Sequence, residues 1–241
     1  ILNPHKKVLI PDMNAGCSLE ESCPADKFAL FKQKYSEHKV VSYINCSAEL
    51  KAMSDVIVTS SNAVSIVNSF PKSQPLIFAP DKNLGAYVSK VTQRPLLLWD
   101  GACMVHEIFN HRRIADLRAQ YPDAELIAHP ECEETVLALA DSTTGLLKYA
   151  SNSAKQSFIV ATEPGILHQM RLKNPGKTFI PAPSEHACAC NNCPHMKLNT
   201  LEKIYLTLKY EAPELHMADD LIAQAYLPIR RMLDLSAELG L

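Results

Sequence analysis

Short apolar runs recur along the chain, each broken by a polar turn and followed by an amphipathic stretch. "KVVSYINCS" (39–47) leads into "AELKAMSD" (48–55), and "VIVTSS" (56–61) into "NAVSIVNSF" (62–70). "QPLIFAP" (74–80) leads into "DKNLGAYVSKV" (81–91). The alternation returns in "AELIAHPEC" (124–132) before "EETVLALAD" (133–141), and in "STTGLLKYASN" (142–152). It appears again in "QSFIVATEP" (156–164) before "GILHQMRL" (165–172). Apolar runs bounded by Pro, Gly, Ser or Asp read as buried strands, and the segments after them have helical spacing. This alternation predicts α/β units with parallel sheets. From Lys197 onward the pattern is helical, with a break at "EAPEL" (211–215). That predicts a closing helix and then a tail helix, residues 194–241 packing across units.

A longer repeat organises these units. "KKVLIPDMNAGC" ends at Cys17, "QRPLLLWDGAC" at Cys103 and "GKTFIPAPSEHACACNNC" at Cys193. Each has a basic residue, a short apolar run that reads as a strand, a turn rich in Pro, Gly, Asp or Ala, and a cysteine. The cysteines are spaced by 86 and 90 residues. Sites in α/β units lie at the carboxyl ends of strands. Three such units around a pseudo-threefold axis would bring three strand-end cysteines together at the centre. The expected division is therefore 1–17 as the tail of a first unit, 18–103 as the second and 104–193 as the third. On this reading most of the first unit would lie upstream, and this chain made alone would be inactive and poorly soluble.

Composition narrows the chemistry. With 241 residues, 47% of them hydrophobic, the chain can build a sizeable core. A net charge of −2 gives no general attraction for nucleic acid or anionic lipid. The basic stretch "NHRRIADLR" carries an acidic neighbour and reads as a solvated helix face. No apolar run approaches the length of a membrane span. Eight cysteines without a signal-peptide pattern point to a reducing cytoplasm, where clustered cysteines bind metal or do chemistry. Cys23, Cys46 and Cys132 read as small core residues.

Cys188, Cys190 and Cys193 crowd into "CACNNC". With His186 and His195 they could close a local zinc site, although such sites usually pair two spaced motifs. The Cys190-x-x-Cys193 spacing could also be a redox pair, but no short N-terminal strand precedes it. Three distant strand-end cysteines suit an iron–sulfur cluster. A cubane held by three protein thiolates keeps one iron open to act as a Lewis acid.

The blocks "LIPDMNAGCSLEESCPAD", "VVSYINCSAELKAMSD", "TSSNAVSIV", "PDKNLGAYV", "LLWDGACMVHEIFN", "AELIAHPEC", "GLLKYA", "GILHQM" and "CNNCPHMKLNTLEKIYL" resemble the quinolinate synthase family, in family order and over nearly the whole chain. The resemblance implies three α/β units of pseudo-threefold symmetry with a [4Fe-4S] cluster on the axis, held by Cys17, Cys103 and Cys193. It implies a transferase of NAD biosynthesis that condenses iminoaspartate with dihydroxyacetone phosphate to quinolinate, phosphate and water. L-aspartate oxidase, which makes iminoaspartate, is the implied protein partner. The resemblance also implies a reversible disulfide between Cys188 and Cys190, for which the C-x-C spacing here is tighter than usual.

The remaining candidates follow from the substrate's two carboxylates and imine. Tyr43 and Asn45 alternate along a strand end and can both donate to carboxylate oxygens. Ser60 sits where a strand turns into a helix, as an N-cap or an anion donor. His129 and Glu131 share one face of an extended segment and can relay protons. The resemblance implies that Tyr43, Ile44, Asn45, Ser60, His129, Pro130, Glu131 and Thr143 bind substrate, with Glu131, His129 and Tyr43 catalytic and Glu131 the favoured acid/base. The family carries a few more residues before the Ser/Thr turn, which leaves Thr143 and Thr144 as rivals. His106, three residues after Cys103, would pack over the cluster; Glu163 and His168 read as supporting groups. The alternative is an iron–sulfur or zinc module that binds or senses without catalysis, which would have no need of a dicarboxylate pocket.

Overall fold

In the computed structural model, residues 1–143, 145–184 and 191–241 are described. The chain divides into two compact units, Ile1–Gly101 with Pro194–Leu241, and Ala102–Cys193.

The first unit begins with helices α1 (Ser18–Ser22) and α2 (Ala25–Lys34). It continues as β1 (Lys39–Tyr43), α3 (Ala48–Ala52), β2 (Val56–Val58), α4 (Ala63–Ser69), β3 (Leu76–Ala79), α5 (Lys82–Thr92) and β4 (Leu97–Leu98). The sheet runs β2-β1-β3-β4 and is parallel throughout. Its central strands are apolar at nearly every position because helices cover both faces. Beneath it Phe28, Val40, Leu50, Ile77 and Ala79 form one core with Cys23, and Cys46 and Trp99 pack against that core. Side-chain caps start two of the helices: Ser47 Oγ accepts from Leu50 N–H (3.1 Å), and Asp81 Oδ1 from Leu84 N–H (2.6 Å). Helix α5 lies so close to the sheet that a Cβ on Gly85 would come within 2.6 Å of Leu98 and 2.9 Å of Phe78.

The second unit has α6 (Met104–Glu107), α7 (His111–Gln120), β5 (Glu125–Ala128), α8 (Glu134–Leu137), α9 (Leu146–Asn152), β6 (Ser157–Ala161), α10 (Ile166–Lys173) and β7 (Thr178–Pro181). Its sheet, β5-β6-β7, is also parallel. One face packs Ile114, Leu126, Val136 and Ile159 with Cys132. The other packs Ile127, Phe158, Val160, Leu167 and Met170. The buried Cys23 and Cys132 and the half-buried Cys46 are thus core residues, as their apolar neighbours predict. The chain then returns to the first unit as α11 (Pro194–Lys197), α12 (Leu201–Tyr210) and α13 (Asp219–Glu238), where α13 packs on α3, β2 and α4. None of the described helices is long and apolar enough to cross a membrane.

The strand expected at Val8–Ile10 does not form. Leu9 makes one isolated antiparallel bridge to Glu214, and Val8 is exposed. This run lies against the irregular Ala212–Leu215 connection between α12 and α13, which offers no regular strand to pair with. Without a ladder, a short apolar run has no reason to stay extended.

Candidate functional site

The carboxyl ends of both sheets carry the chemistry. In the second unit, β5 ends at Ala128 and the chain runs on as His129-Pro130-Glu131. His129 N–H donates to Ala161 O (2.9 Å), so the extension stays tied to the end of β6. Cys132 N–H closes the turn on His129 O (2.9 Å), and the buried Cys132 side chain anchors it. The turn drives Glu131 inward, where it is 3% exposed.

Buried carboxylates need partners. The Nδ1 of the buried His106 stands 3.0 Å from Glu131 Oε2, an ion-pair distance without hydrogen-bond angles. His129 Nδ1 lies 3.5 Å from Glu131 Oε1. The two imidazoles stack with centroids 4.9 Å apart and planes 25° apart. On its far side, His106 Nε2 is 2.9 Å from Thr162 Oγ1, the first residue beyond β6. Burial lowers the His129 pKa to about 4; His106 acts in the same direction and the Glu131 charge opposes. His129 is therefore a neutral imidazole at neutral pH.

Cys103 sits directly before α6, and its carbonyl accepts from the N–H groups of His106 (2.9 Å) and Glu107 (3.1 Å). One donor atom each from Cys103, His106 and Glu131 lies within 4.8 Å of the others. Burial pushes the Cys103 thiol up to about 12, with Glu131 adding its charge and a hydrogen bond. The backbone N–H groups of Val105 and His106 point at the sulfur and pull the other way. Donors aimed at a sulfur that burial, with the Glu131 charge, keeps protonated suit a thiol whose proton a metal displaces.

Cys17 and Cys193 repeat this placement. Cys17 immediately precedes α1, and Cys193 immediately precedes α11, whose first residue is Pro194. Within the first unit, His195 Nδ1 lies 3.8 Å from Glu21 Oε1 and would lie as close to a Cβ on Gly16. The residue before Cys17 and the residue two after Cys193 therefore face each other.

Also in the first unit, Tyr43 ends β1 and pairs in register with Val58 of β2. Ile44 N–H still bonds Val58 O (2.9 Å), so Asn45 and Ser60 leave neighbouring strand ends. Tyr43 is buried, Ile44 and Ser60 half-buried, and Asn45 exposed. Ser60 is not the N-cap that its position suggests. The cap position of α4 is Asn62, whose Oδ1 accepts from Thr59 N–H (2.6 Å), and Ser60 lies in the turn between. Lys51, on α3, is buried and donates to Ile44 O (2.8 Å) and to Cys46 O.

The structure brings His129, Glu131 and Cys103 together in the second unit and adds His106 and Thr162. Pro130 is buried between the first two. Thr143 follows Ser142, which bridges to Ile127 of β5, so it lies along the same strand. Thr144, His186, Cys188 and Cys190 are outside the described residues. Tyr43, Ile44, Asn45, Ser60 and Cys17 belong to the first unit. Thr162 and Lys51 escaped sequence reasoning. Thr162 could have been found as the first polar residue after a buried strand, but Lys51 resembles any helical lysine.

Comparison with known proteins shows the family. Residues 1–234 match the model of the quinolinate synthetase A protein family. The chain is 60% identical to a quinolinate synthase of Rippkaea orientalis, over 98% of its own length and 74% of that protein's. It is 59% identical to the quinolinate synthase of Thermosynechococcus vestitus, over 98% and 75% of the two chains. For the one from Cyanophora paradoxa the identity is 56%, over 98% and 73%. The chain belongs to the quinolinate synthetase A protein family.

Proposed function

We propose that the chain is the quinolinate synthase of NAD biosynthesis, condensing iminoaspartate with dihydroxyacetone phosphate and releasing phosphate and water. The overall change needs no oxidant, so its demands are proton transfers and anion recognition. The observation that carries the reading is the buried Glu131 carboxylate held among His106, His129 and Cys103 at the end of β5.

Glu131 is the acid/base of the tautomerisation and dehydration steps. Each deprotonation it performs is followed by delivery of a proton to a departing oxygen. His129, neutral at working pH, accepts or donates at the imidazole and orients the imine end of the substrate. Pro130 fixes the bend between them, and Thr143 lines the same strand. Tyr43, Asn45 and Ser60, with the backbone at Ile44, present hydroxyl, carboxamide and N–H donors to carboxylate and phosphate oxygens. Tyr43 also takes part in proton transfer through its phenol.

Cys17, Cys103 and Cys193 would hold a [4Fe-4S] cluster. All three directly precede short helices, and at Cys103 backbone donors are aimed at the sulfur. When bound, the cluster supplies an iron without a protein ligand, a Lewis acid for a substrate oxygen. The reading includes a three-unit arrangement with the boundaries 1–17, 18–103, 104–193 and 194–241, cytoplasmic placement, and supply of iminoaspartate by L-aspartate oxidase.

One observation favours a second reading. Cys103, His106 and Glu131 alone could bind one zinc ion with an open position, as a binding or sensing module. Iron and acid-labile sulfide, measured on complete protein purified without oxygen, separate the two. The cluster reading expects about four of each per chain, both lost in Cys17→Ala, Cys103→Ala and Cys193→Ala, and quinolinate formed from the two substrates. Zinc that is lost only with Cys103→Ala would replace it.

A further inference from the structure

Lys51 is a buried lysine, 8% exposed, on the solvent-facing pattern of a short helix. Its Nζ donates to Ile44 O (2.8 Å) and to Cys46 O, and it lies 3.6 Å from Cys46 Sγ. All three are neutral. Burial holds the Cys46 thiol up at about 11 even beside the ammonium, so the sulfur carries no compensating charge. Among the described residues no carboxylate lies within ion-pair distance of Nζ. A buried ammonium without a counter-charge is costly, so its retention here calls for a role.

The position of Lys51 identifies the ligand class. Ile44 O also accepts from Cys46 N–H (2.9 Å), so Lys51 locks the turn that follows Tyr43 and presents Asn45. We infer that Lys51 is a positioning residue for recognition of a dicarboxylate: it fixes the 44–46 turn and places a positive charge behind that strand end. With its N–H groups engaged by the turn, it acts through the field and not by touching substrate. This rests on the reading that Tyr43 and Asn45 bind the dicarboxylate substrate.

The test compares ligands of different charge on the iron-loaded protein. The Kd of quinolinate, a dianion, and of picolinate, its monoanionic analogue, are measured by calorimetry for the parent, Lys51→Gln and Lys51→Arg. Gln retains a donor for the carbonyls but no charge. At separations of several ångströms and partial burial, losing one charge should weaken the dianion about tenfold and the monoanion about threefold. Iron content should stay at the parental value, and Arg should restore the discrimination. Equal losses for both ligands, or losses that Arg shares, would assign Lys51 to the turn alone and overturn the inference. If Lys51→Gln fails to load iron, Cys46→Asp neutralises the ammonium in place and is expected to remove the same charge discrimination; retained discrimination would equally overturn the inference. Asn45→Ala separates the two levels. If it leaves quinolinate binding unchanged, the strand-end reading itself fails; if it weakens binding while Lys51→Gln does not, only the role of Lys51 fails.

Discussion

At the end of β1, Tyr43 and Asn45 flank Ile44, whose carbonyl accepts from the buried Lys51. At the end of β5, Glu131 lies between two imidazoles and a thiol. Each strand opens the strand–helix alternation of its unit, β1 inside its sheet and β5 at the edge of its own, and the two ends differ in the groups they carry. The first carries mostly neutral donors and the Tyr43 phenol; the second gathers a carboxylate, two imidazoles and a thiol close to one another. Under the proposed function, one α/β plan gives the two strand ends different work through the residues just past the last ladder bond.

The sharpest way to break this division is Glu131→Gln. The amide keeps the shape and loses the proton acceptor, and general acid/base groups contribute roughly 10²–10⁴-fold. We expect kcat for quinolinate formation to fall by about that factor, with KM changing little and iron retained. If KM moved and kcat did not, Glu131 would belong with the recognising residues.

A second effect concerns stability and distinguishes the two ends without any substrate. The His129 pKa is lowered from about 6.5 to about 4 by burial. Between these values the unfolded chain binds a proton that the folded chain does not. Stability is therefore full above about pH 6.5 and falls as the pH drops towards 4. The partly exposed ring limits the contribution to at most of the order of 3 kcal/mol. Denaturant unfolding of cluster-free protein should show this slope, and His129→Gln should flatten it. Asn45→Ala, at the recognising end, should leave the slope unchanged while raising KM for iminoaspartate about tenfold, as expected for loss of one hydrogen bond to a charged group.

How much of this was legible depends on where each residue's partners lie. The strands at Val40–Tyr43, Leu76–Ala79 and Phe158–Ala161 could be read because buried parallel strands are continuous apolar runs, and the turn residues after them mark the carboxyl ends. His129 and Glu131 were legible as a pair because they are two residues apart on one extended face. Lys51 was not. The spacing in "AELKA" predicts a solvated lysine, and only the fold-back of the 44–46 turn buries it. Val8–Ile10 misled for the converse reason: apolar content suggests a strand, but a strand needs a neighbour, and this run has only the Glu214 bridge.

The smallest expected effect lies between these cases. Thr162 is 56 residues from His106 in sequence, yet its hydroxyl is 2.9 Å from Nε2. If Nδ1 carries the proton facing Glu131, Nε2 presents a lone pair and the Thr162 hydroxyl donates to it; if the ring is doubly protonated, the hydroxyl accepts instead. In both forms Thr162 holds the plane of the ring whose other nitrogen faces the carboxylate. Thr162→Val preserves shape and removes the hydroxyl, so it should cost one neutral hydrogen bond, a roughly three- to tenfold loss in kcat with KM unchanged. Thr162→Ser should restore most of the rate. A loss in KM rather than kcat would place Thr162 in recognition and would blur the division between the two strand ends.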